Sequence, residues 1–335
     1  MKNATLRQLK VFEAAARQLS FSRAAQELHL TQPAVSTQIK LLQQHAGVRL
    51  FEQLGKKVHL TPAGSELLGY SRAIIELFRQ AGEAMAACQG VSGGTLNVAV
   101  ISAGDYFFPQ LLAEFARTAP GVKLNLGVFN RQQLMRQLAD NLTDLAVMVR
   151  PPRELDTVAE PFAAHPYVIV APPDHPLTRR RRVPMSALLA EPWLTRERGS
   201  DTWNSMEDAF GAQLSKLNVV MEIRSTETIK QAVIAGLGLA FLSAHTIGRE
   251  IEMRQLAVLD VAGFPLQRQW YVVHLRQKVL APVAMAFKTF LLERGASLIA
   301  RATGPVRTRR RTAGSGRKSG HNRGRGAAAG RRRAT

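Results

Sequence analysis

One cysteine, Cys88, stands in 335 residues, which excludes an internal disulfide framework and a multi-cysteine metal centre. The eight histidines supply no HExxH pair and no His and Cys set at ligand spacing; His165, His175, His245 and His274 are isolated, and a structural role is expected for each. The opening segment, MKNATLRQLKVFEAAARQLSF, scatters Arg, Lys and Glu among its apolar positions. It lacks the apolar stretch of a secretory signal, so the chain is expected to stay in the cytoplasm. The longest strongly apolar run, AVIAGLGLAFLSA at 232–244, falls short of the roughly 20 residues that span a bilayer. Its Gly-x-Gly lacks the third glycine of the dinucleotide fingerprint and follows a helical pattern, which excludes a Rossmann cofactor loop. Neither a metal-ligand set nor a nucleophile with its base is visible, so neither an enzyme nor a cofactor is expected. No internal repeat is found.

Acidic residues are missing from the C-terminal end: 301–335 carry 12 Lys and Arg and no Asp or Glu. Residues 1–65 hold 9 basic and 3 acidic side chains, whereas 66–300 hold 24 and 22. The net charge of +20 therefore sits at the two ends. That favours a polyanionic partner, nucleic acid or an acidic membrane surface. The length allows about two domains.

Leu6, Leu9, Val11, Phe12 and Ala15 or Ala16 recur at helical spacing. A second pattern, 22–29, turns Ala24 and Ala25 inward, and such small residues let another helix approach. Thr31 then caps a third helix and Pro33 fits its first turn, where no donor is needed. Val35, Ile39 and Leu42 face the core; Gln32, Ser36, Thr37, Gln38 and Lys40 face outward. This is a helix-turn-helix pattern with its recognition helix at 32–42. Gln pairs with adenine in the major groove, Ser and Thr bond base or phosphate, and Lys40 neutralises a phosphate. An ordinary solvated helix face would show the same polarity. The stretch LFEQLGKKVHLTPAG at 50–64 reads as a wing, two short strands with Lys56 and Lys57 at the tip. Thr61-Pro62 opens a long helix to about 89, on which Leu67, Tyr70, Ile74, Leu77, Ala81, Ala84 and Cys88 keep heptad spacing, suited to a two-helix seam.

TLRQLKVFEAAARQLSFSRAAQELHLTQPAVSTQIKLLQQHAGVRLFEQLGKKVHLTPAG resembles the winged helix-turn-helix of the LysR-type transcriptional regulators, and the likeness covers about residues 4–295. It implies an α/β protein: a winged helix-turn-helix (1–64), a linker and dimerisation helix (65–89) and a two-lobed effector domain like type 2 periplasmic-binding proteins (90–300); the basic tail (301–335) departs from the usual family ending. It implies contacts to double-stranded promoter DNA from Thr31, Gln32, Pro33, Ser36, Thr37 and Lys40. It also implies a homodimer formed through the linker helix, or a homotetramer where dimers pair; RNA polymerase is expected as a further partner through the switch such a protein would make, and no membrane partner is expected.

The Gly-rich CQGVSGG at 88–94 marks a hinge. Beyond it, strand-like and helix-like runs alternate, which argues for a parallel sheet with ligands at the carboxyl ends of its strands. Polar residues at those ends are the candidate effector contacts: Ser102, Asn130, Arg131 and Arg150 from the first half, and Thr195, Arg196, Arg198, Ser200, Thr202, Ser225 and Thr226 from the second. Helix N-termini with several arginines suit an anion. For each residue alone, a cap or a surface group is an equal alternative. The segments NRQQLMRQLADNLTDLAVMVRPP, HPYVIVAPPDHPL, STETIKQAVIAGLGLAFLSAHTIG and RQWYVVH are similar to LysR-type regulators of Calvin-cycle carbon-fixation operons. That likeness implies a phosphorylated sugar, phosphoenolpyruvate or NADPH as small-molecule effector; a LysR-type regulator of amino-acid or aromatic metabolism is the alternative. The four-arginine run at 179–182 reads as an exposed loop. The tail, with almost no large apolar side chain, is expected to stay disordered and to add salt-sensitive DNA affinity.

Overall fold

The computed structural model describes residues 1, 3–54, 57–88 and 93–304. Its first unit is built from capped helices. Thr5 Oγ1 accepts from the Gln8 N–H while Gln8 Oε1 accepts from the Thr5 N–H, which starts α1 (Leu6–Gln18). Ser20 caps α2 (Phe21–Glu27) and Thr31 caps α3 (Gln32–Ala46). The third helix runs past the expected end at 42 and stops at Gly47, whose φ of +73° is the left-handed conformation a glycine adopts without a Cβ penalty. Strands β1 (Phe51–Leu54) and β2 (Lys57–Leu60) pair antiparallel as the wing. Gln43 Oε1 on α3 accepts from the N–H groups of Leu50 (2.8 Å) and Phe51 (3.3 Å), tying wing to helix. Phe12, Ala15, Ala24, Val35 and Leu42 are buried at the centre of this unit.

Thr61 caps α4 (Pro62–Cys88): its Oγ1 accepts from the Gly64 N–H at 3.0 Å and donates to the Arg49 carbonyl at 2.7 Å. Gly64 sits so close to the wing that a Cβ would stand 2.1 Å from the Leu50 carbonyl oxygen. Leu67, Leu68 and Ile75 pack half-buried on the first unit, whereas Tyr70, Ile74, Leu77, Phe78 and Met85 are exposed. Three members of the expected heptad, Tyr70, Ile74 and Leu77, thus lie on an uncovered strip, with Ala81 also exposed. The side chains of Ala84 and Cys88, and the hinge residues 89–92, lie outside the described residues.

The effector domain alternates strand and helix. Its first lobe holds β3 (Gly94–Ile101), α5 (Phe108–Thr118), β4 (Val122–Phe129), α6 (Arg131–Ala139) and β5 (Leu145–Met148). The long β6 (Thr157–Ala171) crosses to the second lobe, which holds α7 (Met185–Leu188), β7 (Pro192–Arg196), α8 (Asp201–Phe210), β8 (Asn218–Ile223), α9 (Thr226–Ile234), β9 (Leu239–Ser243), α10 (Gly248–Glu252) and β10 (Ala257–Val258). Strand β11 (Leu266–Leu275) returns, and α11 (Pro282–Thr303) packs on α5, β3 and β6. The strand order is β4-β3-β5-β11-β6-β9-β7-β8, with β10 beside β6. Pairing is parallel within each lobe, as expected. The two crossover strands depart from that expectation: β6 and β11 are antiparallel to each other and to their neighbours, because one carries the chain out and the other carries it back. Helix α11 reaches Thr303, so residues 301–303 of the expected tail are helical; buried Leu298 and Ile299 hold its last turns on the domain. Residues 305–335 lie outside the described residues.

Candidate functional site

On α3, Val35, Ile39 and Leu42 are buried, while Gln32, Pro33, Thr37 and Lys40 are exposed and Ser36 is partly so. The helical period has placed one set against the core and the other in solvent. Thr31 Oγ1 accepts from the Ala34 N–H at 3.4 Å, so this residue acts first as a cap and keeps only its hydroxyl hydrogen for a phosphate. Gln32 Nε2 donates to Ser36 Oγ at 2.9 Å, and Thr37 Oγ1 donates to the Pro33 carbonyl at 2.9 Å. Gln32 keeps its Oε1 and its second Nε2–H, so it can bond a base edge while still donating to Ser36. Lys57 is exposed at the start of β2, and Lys56 lies outside the described residues.

The second set of candidates meets between the lobes. Asn130 caps α6 and Ser200 caps α8, and both border the same space, while Thr226, the first residue of α9, accepts from Arg196 Nη1; helix N-termini gathered in this way suit an anion. Ser102, Asn130, Arg131, Arg196, Ser200, Asp201 and Thr202 enclose only about 10 Å³, room for about one water. Asn130, Arg131 and Ser200 also border a hollow of about 570 Å³, with Glu197, Arg198, Glu222 and Arg224 around it. The lobes are closed on the inner space and open toward the outer one.

Carboxylates of the chain itself hold the cleft arginines. Arg131 Nη1, from the first lobe, donates to Asp201 Oδ1 of the second at 2.9 Å and to the Arg150 carbonyl at 2.6 Å. Burial pushes the Asp201 carboxyl up, against the opposing pull of Arg131. Arg196, buried, donates to both oxygens of Glu197 at 2.8 and 3.0 Å, and its Nη1 reaches Thr226 Oγ1 at 2.9 Å and Ser102 Oγ at 3.5 Å. Thr195 is buried with no hydrogen-bond partner for its Oγ1 among the described residues. An entering anion would compete with Asp201 and Glu197 for the two guanidinium groups. On the other side of the seam, Tyr106 Oη donates to Glu227 Oε2 at 3.3 Å and the Lys230 ammonium lies 4.6 Å from the Tyr106 ring centre.

Three of the candidate residues stand apart from the inner space. The Arg150 side chain leaves the cleft to pair with Asp208, which Arg268 also holds at 3.0 Å; only its carbonyl serves the site. Arg198 lies over the Trp203 ring at 5.6 Å and stands at the outer rim. Ser225 is an exposed cap rather than a wall of the inner space. Asp201 and Glu197 were not among the expected residues. The signal for Asp201 was its place in the first turn of a helix, directly after the cap Ser200, where a carboxylate is favoured.

Helix α6 links this cleft to the linker helix. Its first residue is Arg131; at its C-cap, Asp140 Oδ1 lies 2.9 Å from Arg72 Nη1 of α4. Arg72 Nε lies 3.6 Å from Glu13 Oε1 of α1. Nearby, buried Lys278 lies 3.2 Å from Asp144 Oδ1 and 3.9 Å from Glu76 Oε1, so α4 is held to the first lobe by paired charges. Among the described residues no three His, Cys, Asp or Glu side chains group as a metal site, and no helix is long and apolar enough to cross a membrane.

Residues 6–65 match the bacterial regulatory helix-turn-helix protein family, lysR type, and residues 89–296 match the LysR substrate binding domain. Over 294 residues the chain is 46% identical to the RuBisCO operon transcriptional regulator of Allochromatium vinosum, covering 88% of this chain and 97% of that protein. It is also 46% identical over 286 residues to the HTH-type transcriptional regulator CbbR of Rhodospirillum rubrum, covering 85% and 95%. Among solved structures, the regulatory domain of CcmR from Synechocystis PCC6803 in complex with 2-PG aligns with a TM-score of 0.58 and 36% identity, over 60% of this chain and 96% of that one.

Proposed function

Because the chain belongs to the LysR family of bacterial helix-turn-helix regulators, we propose that it binds promoter DNA in the cytoplasm and activates a carbon-fixation operon in response to a small anionic metabolite. The observation that carries the reading is the polar face of α3, presented by a capped helix beside a wing, in a chain whose relatives are named for the RuBisCO operon. Gln32, Ser36 and Thr37 read or position bases, and Lys40, Lys57 and Lys56 meet phosphates. A second copy covers the exposed strip of α4, and dimers pair into a tetramer.

The effector sits where Arg131 and Arg196 meet three helix N-termini. Ribulose 1,5-bisphosphate, phosphoenolpyruvate, NADPH and the 2-PG that the CcmR relative carries are the ligands to try. A phosphate or carboxylate that takes Arg131 from Asp201 removes a tie between the lobes. It also moves the end of α6 whose far end holds Arg72 and, through it, Glu13 of the DNA-binding unit. The ligand shifts the arrangement only because it binds the two states unequally. The altered placement of the DNA-binding units bends DNA differently and brings RNA polymerase into contact.

A DNase footprint of the purified protein upstream of a carbon-fixation operon tests this, run with and without each of the four ligands. Protection whose length or hypersensitive bands change with one ligand is the expected result. Protection on other promoters alone would place the protein in another pathway, such as amino-acid or aromatic metabolism.

A further inference from the structure

We propose that Arg179, Arg180, Arg181 and Arg182, with the apolar groove beside them on the second lobe, are the docking surface for an acidic protein segment on the polymerase that the regulator recruits. The inference rests on the reading of the protein as an activator and goes on to place the contact.

All four arginines are exposed, and none of their side chains pairs with a carboxylate among the described residues. This contrasts with Arg131, Arg150, Arg196, Arg268 and Arg276, each of which is matched by Asp or Glu. The run is held at both ends. Leu177 is buried on one side, where Thr178 Oγ1 donates to the His175 carbonyl at 2.7 Å. On the other side Val183 is buried, its N–H donates to the Asp260 carbonyl at 2.7 Å, and its carbonyl accepts from the Ala262 N–H at 3.1 Å. Four guanidinium groups are thus presented on a backbone already fixed at its two ends, which lowers the ordering entropy a partner must offset.

The groove supplies the second half of the recognition. It encloses about 370 Å³ and is lined by Pro173, Thr178, Ile251, Arg254, Leu256 and Val258; Met253 beside it is 67% exposed. Exposed ion pairs alone contribute little, whereas an apolar side chain seated in a groove and ringed by charge pairs is how a few residues come to dominate an interface. Arginine forks match carboxylates in two parallel hydrogen bonds. The chemistry therefore fits a segment with an apolar anchor between Asp or Glu residues. DNA would meet the arginines but has no side chain for the groove. The ion pairs that bind the DNA-binding unit and linker, through Asp140 and Asp144, are also on the first lobe, not on this one.

The test uses the full chain carrying Arg180→Glu and Arg181→Glu, two exposed side chains whose change leaves every described contact in place. Capture of purified polymerase holoenzyme in the absence of DNA is measured first, followed by operator affinity across salt concentrations, the footprint, and transcription with the same holoenzyme. The expected result is a loss of about tenfold or more in polymerase affinity and in activated transcription, since like charges are brought together, with operator affinity and footprint unchanged. Wild-type protein that does not capture polymerase, or a variant that captures it equally well, overturns the proposal. A fall in operator affinity with a shallower salt slope overturns it in favour of phosphate contacts. The wild-type footprint reports separately on the activator reading.

Discussion

Gln32 illustrates how one residue is committed before its partner arrives: its Nε2 donates to Ser36 Oγ at 2.9 Å from the exposed face of α3. If it reads adenine, Gln32→Ala should cost about 1–3 kcal/mol in operator binding and nothing on random DNA, as fluorescence anisotropy on the two duplexes would measure. Equal losses on both would make it a positioning residue. His245 makes the opposite kind of commitment. Its Nδ1 accepts from Trp270 Nε1 at 3.2 Å and its ring packs against Phe107 and His165. Burial pushes it down to about 4 from an unfolded value of 6.5. A lowered pKa means that below pH 6.5 the unfolded chain takes up a proton that the folded chain refuses. The stabilisation is complete above that pH and is lost toward pH 4, at up to about 1.4 kcal/mol per unit. His245→Gln keeps an acceptor for Trp270, and urea unfolding from pH 6.5 to 4.5 should show a flatter slope for it than for the wild type. The outward place of Gln32 and a structural role for His245 were both legible in the sequence, but the surroundings of His245 were not. The cap, period and neighbours of Gln32 are local, whereas the burial of His245 depends on β11 and α5.

At the scale of elements the same division holds. The first two helices of the DNA-binding unit could be read from their apolar period, and α3 and α4 from their caps Thr31 and Thr61; the caps Thr5 and Ser20 emerged only with the structure. The end of α3 was misplaced because its apolar face stops at Leu42 while the helix continues to the glycine that ends it. Alternation marked the strands of the effector domain but not the direction of β6 and β11, which only the path between the lobes determines. The heptad on α4 was legible, and its strip of Tyr70, Ile74, Leu77 and Phe78 stands uncovered. If a second copy covers it, Leu77→Lys places a charge in an apolar seam. The mass from light scattering should then fall to that of a monomer, while circular dichroism keeps the helical content of the wild type. A retained dimer would place the seam elsewhere.

For the whole molecule, the question is how a change in a closed cleft reaches a helix that lies on DNA. The cleft arginines were legible, but the carboxylates that hold them were not, since Arg131 and Asp201 are 70 residues apart and nothing local pairs them. The same applies to Arg72, whose contacts with Glu13 and Asp140 join three parts of the chain. These contacts make α6 a short rigid element with one end in the cleft and the other on the linker. Asp140 is partly exposed, its side chain at 45%, while Arg72 is at 11%, so removing the charge of Asp140 leaves Arg72 paired with Glu13 and the fold intact. Asp140→Asn should therefore keep effector affinity, because Arg131 and Arg196 are untouched, and should keep operator affinity in the absence of effector, because α3 and the wing are untouched. What it should lose is the ligand-dependent change in the DNase footprint, because displacement at Arg131 no longer pulls on α4. Calorimetry with the active ligand and footprints with and without it separate these quantities. A variant whose footprint still responds fully would show that the signal leaves the cleft by another route, and the pairing of Lys278 with Asp144 and Glu76, together with Arg79 beside Asp144, is then the next contact to remove.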